Sequence, residues 1–408
     1  MKEDAKEIID ALSSGPVQQY LLEHENQDIK ELILENRVLF SIPARRLSEQ
    51  IAARRKAKDK LPQYYSTSGI IYPPSENLEQ SSSQATAVYK SELMARTISR
   101  QQPMCADLTG GFGVDTYFFS KKMKQVWYVE PQESLLEIAR HDHRLLGAKN
   151  IEYHASTAEE FLLTTQLDFD FIFLDPSRRP GSGKKVSSLV DSNPDVLGLK
   201  AAIFEKTHWL LVKASPLMDI QAGIAQLATV RRVLVISNDN ECKELLFLCE
   251  RNFNGLPSIE AVNISKDQST QTFKFSFPEE RALNITFSDP LNFLYEPNAS
   301  ILKAGAFKSV ADRYNLKKIA SNTHLYTSAG LVESFPGRRF EIEAFVKPDA
   351  ATEIKNHFPE GKANITTRNY PLTPEGIKKK TKLKDGGEKF LIGFSGQRKK
   401  FLAVAKRL

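Results

Sequence analysis

Apolar positions change their spacing twice along the chain, and the changes mark out three stretches. Over the first hundred residues they recur at helical intervals: Ile29, Leu32 and Ile33 stand at i, i+3 and i+4, and Leu47 and Ile51 are four apart. Pro43 opens a basic helix, ARRLSEQIAARRKAKDK, because the N–H that proline lacks has no partner at a helix start anyway. From about Leu61 to Ser83 the text turns to Tyr, Ser, Pro and Asn and reads as a loop; a second helix is predicted from about Ser83 to Arg100. From Met104 to about Phe277 short apolar runs alternate with helical text. MCADL, QVWYVE, NIEYHA, FDFIFLD, HWLLVKA, RRVLVIS and SIEAVNIS predict seven strands, with QESLLEIARHDHRLLG and CKELLFLCERN as helices between them. Several runs are nearly all apolar, as strands covered on both faces must be. The seventh run and TFKFSFP are placed to form an antiparallel edge hairpin.

After Pro290 the alternation stops. Helices are predicted near Ala299–Asn315 and Ala350–Asn356, and strands at FEIEAFV, ANITTRNY, EKFLIGFS and KKFLAVAKRL. The expected organisation is a helical N-terminal domain (1–100), a doubly wound α/β domain (101–290) and a small basic α+β domain (291–408).

Composition changes this picture little. With 408 residues, 41% hydrophobic and 26% charged, the chain is neither collagen-like, coiled-coil nor wholly disordered. Cys105, Cys242 and Cys249 are too few and too scattered for a disulfide framework or a structural zinc site, which fits a reducing, cytoplasmic setting. The start, MKEDAKEIIDALSSG, mixes charges through its apolar positions and is not a signal peptide, and no run approaches the roughly 20 apolar residues of a membrane span. His141 and His143 are two apart in a helix and face different ways, so no metal site is expected. Charge is more informative: the overall +6 hides 17 Lys and Arg against 8 Asp and Glu over residues 338–408, and 39 against 42 elsewhere. KKKTKLK at 378–384 and RKKF at 398–401 concentrate the excess. This suits either an RNA-docking module or a solvated lysine-rich surface.

The chemistry sits in DLTGGFGVD, Asp107 to Asp115, directly after the first predicted strand. Gly110, Gly111 and Gly113 stand where strand must turn sharply into helix, and without Cβ atoms such a turn lets a ligand approach the backbone. A purely steric turn would use the same residues. Glu130 ends the next strand, 23 residues after Asp107, where an acid is placed to hold both hydroxyls of a ribose; it could equally cap the helix that follows. Together the two features indicate a nucleoside-containing cofactor. The position three after Gly113 is Thr116 rather than glycine, and a carboxylate at Asp107 would repel a pyrophosphate. A ligand carrying an ammonium and a sulfonium, such as S-adenosylmethionine, suits Asp107 and Asp115 better.

DLTGGFGVD resembles the first motif of the class I S-adenosylmethionine-dependent methyltransferases, with Thr109 in the first glycine position, and YVEP resembles their second. FLDPSRRP is similar to the D/N-P-P-aromatic motif of amino-group methyltransferases and to the D-P-P-R motif of some RNA methyltransferases. With LEQSSSQATAVYK ahead of it and RRFEIEAF near the C-terminus, the chain resembles bacterial methyltransferases with a THUMP-like C-terminal domain. The resemblance implies a Rossmann-like, seven-stranded methyltransferase domain, S-adenosyl-L-methionine as cofactor, and an RNA partner, a structured tRNA or rRNA.

Three departures stand against the family pattern. Ser156 and Thr157 occupy the third-strand end where an Asp often binds adenine. DPSRR keeps Asp175 and Pro176 but has Arg178 and Arg179 in place of the second proline and aromatic, which suits phosphate or a planar base face. Cys242 lies four residues past Asn238 in predicted helix and reads as a small apolar residue, so direct transfer to nitrogen is expected rather than a covalent route. Lys184 and Lys185, in the loop after Pro180, are placed to meet an RNA backbone, and Glu79 and Gln80 to line the cofactor. Asp175, Arg178 and Arg179 are therefore the expected catalytic residues. Asp107, Thr109, Gly110, Gly111, Gly113, Asp115, Glu130, Ser156 and Thr157 are the expected cofactor residues; Pro176, Lys184 and Lys185 are the expected substrate residues. The expected activity is methylation of a base nitrogen of structured RNA. A small-molecule or protein methyltransferase, or an RNA-binding protein that keeps only the fold, are the alternatives.

Overall fold

The computed structural model describes residues 5–29, 38–178 and 189–408. It forms two compact units, Met1–Arg231 with Leu245–Gly255, and Arg232–Glu244 with Leu256–Leu408.

The first unit is built on strands β1 (Met104–Asp107), β2 (Gln125–Val129), β3 (Ile151–His154), β4 (Phe169–Leu174) and β5 (Thr207–Ala214), all parallel, in the order β3-β2-β1-β4-β5. Phe171, Ile172, Leu210, Leu211 and Val212 are fully buried, as the continuous apolar runs require of strands covered on both faces. Of the next two strands, β6 (Val230–Asn238) and β7 (Glu241–Glu250), β7 lies antiparallel beside β5, Leu245–Glu250 running against Ala214–Trp209. The order 3-2-1-4-5 reverses at β1, so the crevice of a doubly wound sheet opens at the carboxyl ends of β1 and β4.

Helices α1 (Ala5–Ser13), α2 (Gly15–Glu23) and α3 (Ala44–Lys60) precede this sheet, and α3 begins directly after Pro43 as predicted. Leu47 and Ile51 bury against Ile9, Leu12, Val17 and Leu21. The predicted loop holds two short helices, Pro62–Ser66 and Ser75–Gln80. α4 (Gln84–Thr97) follows, its N-terminus satisfied by the Ser83 side chain accepting from the Thr86 amide. α5 (Val114–Ser120), α6 (Glu133–Leu145), α7 (Ala158–Thr164), α8 (Val196–Lys206) and α9 (Ile220–Leu227) then alternate with the strands. Asp195 and Asp219 cap α8 and α9.

One predicted helix is a strand. CKELLFLCERN forms most of β7, and Leu245 to Cys249 are all fully buried. Leucine favours helices in isolation, but a short apolar run with no polar face fits a central strand equally well, and sheet pairing decides.

In the second unit, Arg232–Asn238 of β6 pairs parallel with β8 (Ser258–Ile264), which pairs antiparallel with β9 (Thr270–Phe275), giving the hairpin of the seventh run and TFKFSFP. A seven-stranded sheet follows, from β10 (Phe293–Pro297), β11 (Lys317–Ala320), β12 (Thr323–Ser328), β13 (Gly337–Phe345), β14 (Lys362–Arg368), β15 (Lys384–Ser395) and β16 (Lys400–Arg407), in the order β11-β12-β10-β13-β16-β15-β14. Its neighbours are antiparallel except β14 and β15. A parallel pair needs a crossover; the intervening helix Pro374–Thr381 provides it and turns the lysine run KKK into helix. The helix predicted over Ala299–Asn315 divides at Gly305, whose φ of +81° ends Ala299–Ala304 before Phe307–Arg313 begins.

Glu296, at the end of β10, is buried between Arg338 and Arg368, with an ion pair to each. Removing one member of a buried ionic cluster leaves the others desolvated and unpaired, at a cost of about 3 kcal/mol or more. Glu296→Ala is therefore expected to unfold at lower urea by about that amount, and a variant within 0.5 kcal/mol (roughly the surface-substitution range) would show that the cluster contributes nothing.

Candidate functional site at the strand ends

The turn after β1 is assembled by three different demands on glycine. Gly110 donates to the Val129 carbonyl at 2.9 Å, and a Cβ there would lie 2.3 Å from the Tyr128 ring. Gly113, with φ of +80°, caps α5, and a Cβ would meet the His143 imidazole at 2.7 Å. Gly111, with φ of +55°, differs: a Cβ would meet only the Thr109 carbonyl, 3.8 Å away, so the space over it is open. The first two glycines serve packing, and the third leaves the turn approachable.

Carboxylates converge on this turn. Asp107 is buried; its Oδ1 accepts from the Thr109 amide at 3.1 Å and its Oδ2 from the Thr116 hydroxyl at 2.6 Å. Burial pushes its carboxyl up to about 7, against the pull of the Thr116 hydroxyl and with a further push from the Asp115 charge. Glu130, also buried, accepts from the amides of Gly111 and Gln132, each at 2.9 Å, which ties the end of β2 to the glycine turn. Burial raises its carboxyl as well, opposed by those two amides.

Asp115, in the first turn of α5, accepts from the Ser82 hydroxyl at 2.7 Å through Oδ2, while its Oδ1 faces the Lys90 ammonium at 3.0 Å. That contact is an ion pair without hydrogen-bond alignment, since Oδ1 lacks a formal hydrogen bond. Lys90 is fully buried and also donates to Ser82 at 2.6 Å. The segment before the sheet thus enters the site through Ser82 and Lys90. Glu79 and Gln80, expected there, point elsewhere: Glu79 pairs with Lys56 and Gln80 bonds Glu76.

Thr109 joins the two strand tips. Its hydroxyl accepts from the Asp175 amide at 2.7 Å, beyond the end of β4. Asp175 is half-buried, and its Oδ2 lies 2.5 Å from the ammonium of Lys213, in β5. Because Leu174 and Val212 are register partners in parallel strands, the residues after them are neighbours. Pro176 is half-buried beside Asp175. Ser177 and Arg178 pair through their backbones with Asn193 and Ser192. Arg179, Lys184 and Lys185 lie outside the described residues, as does the side chain of Arg178.

At the end of β3, Thr157 is committed to structure: its hydroxyl accepts from the Glu160 amide and its own amide donates to the Glu160 carboxylate, closing a capping box on α7. Ser156 is half-buried beside it. His143, unremarkable in the sequence, proves a prop of the turn. Its Nε2 contacts the Gly113 carbonyl and its Nδ1 the Tyr153 hydroxyl, each at 2.9 Å. A carbonyl can only accept, so Nε2 carries the proton. Burial lowers the imidazole to about 4, which keeps it neutral. Among the described residues no three His, Cys, Asp or Glu side chains gather as a metal would need, and no helix is long and apolar enough to cross a membrane.

The turn therefore presents buried negative charge to an open approach over Gly111, with a proton on Asp107 that titrates near neutrality. The consequence for folding has a definite sign. An unfolded Asp ionises near 4; between there and 7 the folded state holds a proton that the unfolded state has lost, so Asp107 lowers stability as pH rises across that interval. Asp107→Asn is expected to gain on the wild type between pH 5 and pH 8, by at most about 3 kcal/mol. An unfolding difference that stays constant over that range would refute a buried ionisation.

Comparison with known proteins places the chain among relatives. It aligns with the solved structure of the "putative methyltransferase from Porphyromonas gingivalis W83" at 31% identity and a TM-score of 0.85, over 100% of both chains. Residues 293–336 match a ferredoxin-like domain family and residues 337–407 a THUMP domain-like family. Over 40% of its length the chain overlaps an rRNA methylase from Streptococcus thermophilus (16% identity, TM-score 0.29, 94% of that chain). It overlaps a Streptococcus mutans protein solved with S-adenosylhomocysteine over the same share (16%, TM-score 0.31, 95% of that chain). No curated protein matches the chain.

Proposed function

The chain belongs to the methyltransferase family represented by the Porphyromonas gingivalis protein, and from that premise we propose that it transfers a methyl group from S-adenosylmethionine to a base nitrogen of structured RNA. The observation that carries the cofactor reading is the pairing of an open glycine turn with Glu130, whose carboxylate is fixed on the Gly111 and Gln132 amides. Both Glu130 oxygens keep a lone pair for a ribose hydroxyl, the role an acid at the second strand end plays in this fold class. Asp107 and Asp115 would hold the ammonium end, and their buried negative charge suits a cation. Thr157, whose hydroxyl is engaged in its capping box, would serve the adenine through its backbone rather than its side chain.

When bound, the cofactor supplies an already activated methyl on its sulfonium. The protein's part is then alignment and desolvation: Thr109 holds the Asp175 backbone against the turn, and Asp175 offers a carboxylate oxygen to an N–H of the acceptor. Arg178 and Arg179, three and four residues further on, would meet phosphate or a base face, with Lys184 and Lys185 on the RNA backbone.

RNA as substrate is supported by the THUMP domain-like match and by the local charge. Lys379, Lys380, Lys382, Lys384, Arg398 and Lys400 are all exposed in that region. A basic surface of this kind gives sequence-independent affinity, while the acceptor pocket selects the nucleotide. Such a protein acts on cytoplasmic RNA.

Calorimetric titration with S-adenosylhomocysteine is expected to show binding that Asp107→Ala abolishes and Glu130→Ala weakens by about ten-fold, the loss of one good charged hydrogen bond. No binding to the wild type would remove the cofactor reading. Tritiated methyl transfer should then enter RNA; label in protein or small metabolites with none in RNA would replace RNA with those substrates.

A further inference from the structure

Three phenylalanines in the second unit form a row that runs from the core to the surface. Phe394 on β15 is fully buried and stands opposite Phe401 on β16; their rings lie 5.4 Å apart and 25° from parallel. Phe345, at the end of β13, pairs with Ala403, two residues along from Phe401, and its ring lies 5.5 Å from that of Phe401. Alternate residues of a strand share a face, so the three rings lie on one face of the sheet. Exposure grows outward along the row: Phe401 is half-buried, and Phe345 is 43% exposed.

Cations accompany the outer end of the row. The turn between β15 and β16 carries Arg398, Lys399 and Lys400 immediately before Phe401, and all three are exposed. The Lys399 ammonium stands 5.6 Å from the centre of the Phe401 ring and pairs with Asp289 at 3.0 Å, which anchors the turn on two sides. Its neighbours Arg398 and Lys400 are left facing solvent, and Lys347, two residues past Phe345, is exposed as well. On the same strand Glu343 is taken by Lys389, which leaves Glu341 and Asp349 as the exposed acids nearest to Phe345 in sequence.

We infer that Phe345 is a stacking platform for an unpaired nucleobase, with Arg398 and Lys400 on the flanking phosphates; this rests on the RNA reading above and specifies how the strand is held. A single exposed apolar side chain needs no explanation. Phe345 differs because Phe401 supports it from behind and Phe394 supports Phe401, so its exposed side is a rigid aromatic surface beside an anchored basic turn. A nucleotide joins a π-face to a negative charge, and this patch offers the complement of both. A paired base has its faces covered by its duplex neighbours, so the platform takes an unpaired base only. A second copy of this chain fits worse, since it would bring the same cations against these. Every base has a π-face, so the contact holds a strand without selecting its sequence.

The test measures the fluorescence anisotropy of two labelled RNAs with the full chain: an unstructured single strand, and a duplex closed at both ends by non-nucleotide linkers. Phe345→Ala is expected to weaken the single strand by about five-fold or more, the loss of one stacked base, and to leave the duplex and the affinity for S-adenosylhomocysteine unchanged. Phe345→Trp is expected to bind the single strand at least as tightly as the wild type. Phe345→Leu, apolar but without a π-face, is expected to behave as the alanine variant. Arg398→Ala and Lys400→Ala are expected to weaken both RNAs, each lowering the slope of log affinity against log salt by about one; Phe345→Ala leaves that slope alone. Single-strand binding that survives in Phe345→Ala or in Phe345→Leu, or an equal loss for the duplex, overturns the platform and leaves the RNA reading intact. Self-association of the chain that Phe345→Ala abolishes overturns it too, by giving the patch to a second copy. A wild type that binds neither RNA overturns the RNA reading itself.

Discussion

Carboxylates buried at the carboxyl ends of parallel strands are the constraint on which the first unit depends. An ionised carboxylate removed from water is costly unless it is bonded or paired. Three of them, Asp107, Asp115 and Glu130, are buried and a fourth, Asp175, is half-buried, and each is compensated differently. Thr116 and the Thr109 amide serve Asp107, and two backbone amides serve Glu130. Lys90 and Ser82 serve Asp115, and Lys213 serves Asp175. The contacts of Asp107 and Glu130 described above are to hydroxyl and amide dipoles. Burial, with a further push from the Asp115 charge, is what raises Asp107 to about 7 against the pull of the Thr116 hydroxyl.

This compensation explains why helices from the start of the chain belong to the same compact unit as the sheet. Lys90 reaches Asp115 from α4, and the Asp142 carboxylate of α6 accepts from the Ile71 amide at 3.0 Å. Tyr64, Ala53 and Ala57 share one core with Phe112, Tyr117 and Phe118, which carry the glycine turn and α5. Loosening the helical segment would therefore withdraw a counter-charge from the site as well as apolar contacts. The turn's geometry rests on the same packing, since His143 on α6 contacts Gly113 and Tyr128 donates to the Gly111 carbonyl at 2.6 Å.

What could be read in advance follows the range of the interaction concerned. The strands β1, β2, β4, β5 and β6 show as apolar runs because their residues are largely buried, and Glu130 shows by its distance from the glycines because a βαβ unit fixes that spacing. Lys90 and Lys213 carry no such local sign: each lies in ordinary helix or strand text, and only tertiary packing or parallel register brings it to its aspartate. β7 is misread because leucines fit either element until a neighbouring strand claims their backbone. β10, β11 and β12 pass unnoticed because Tyr, Thr, Lys and His interrupt their apolar positions. Thr157 shows the opposite failure, a residue in the right place whose hydroxyl is already spent on capping a helix.

In the second unit the same rule governs charge of the opposite sign. An excess of nine cations over residues 338–408 would repel itself unless part of it were tied down. Arg338 and Arg368 are drawn inward by Glu296, Lys389 pairs with Glu343, Lys399 with Asp289, and Lys378 with Asp385. These pairs hold strands and turns together and contribute nothing to an external field. The exposed cations outside these pairs include those of the helix end and the strand after it, Lys379, Lys380, Lys382 and Lys384, Arg398 and Lys400 at a hairpin tip, and Lys347, Lys355, Lys362, Lys406 and Arg407 elsewhere. The proposed RNA contact is placed on the cluster of six at 379–384 and 398–400, where the exposed cations are closest together in sequence. A contact of that size can hold and orient a strand but cannot select a nucleotide, so selection must come from a site that reads a base edge.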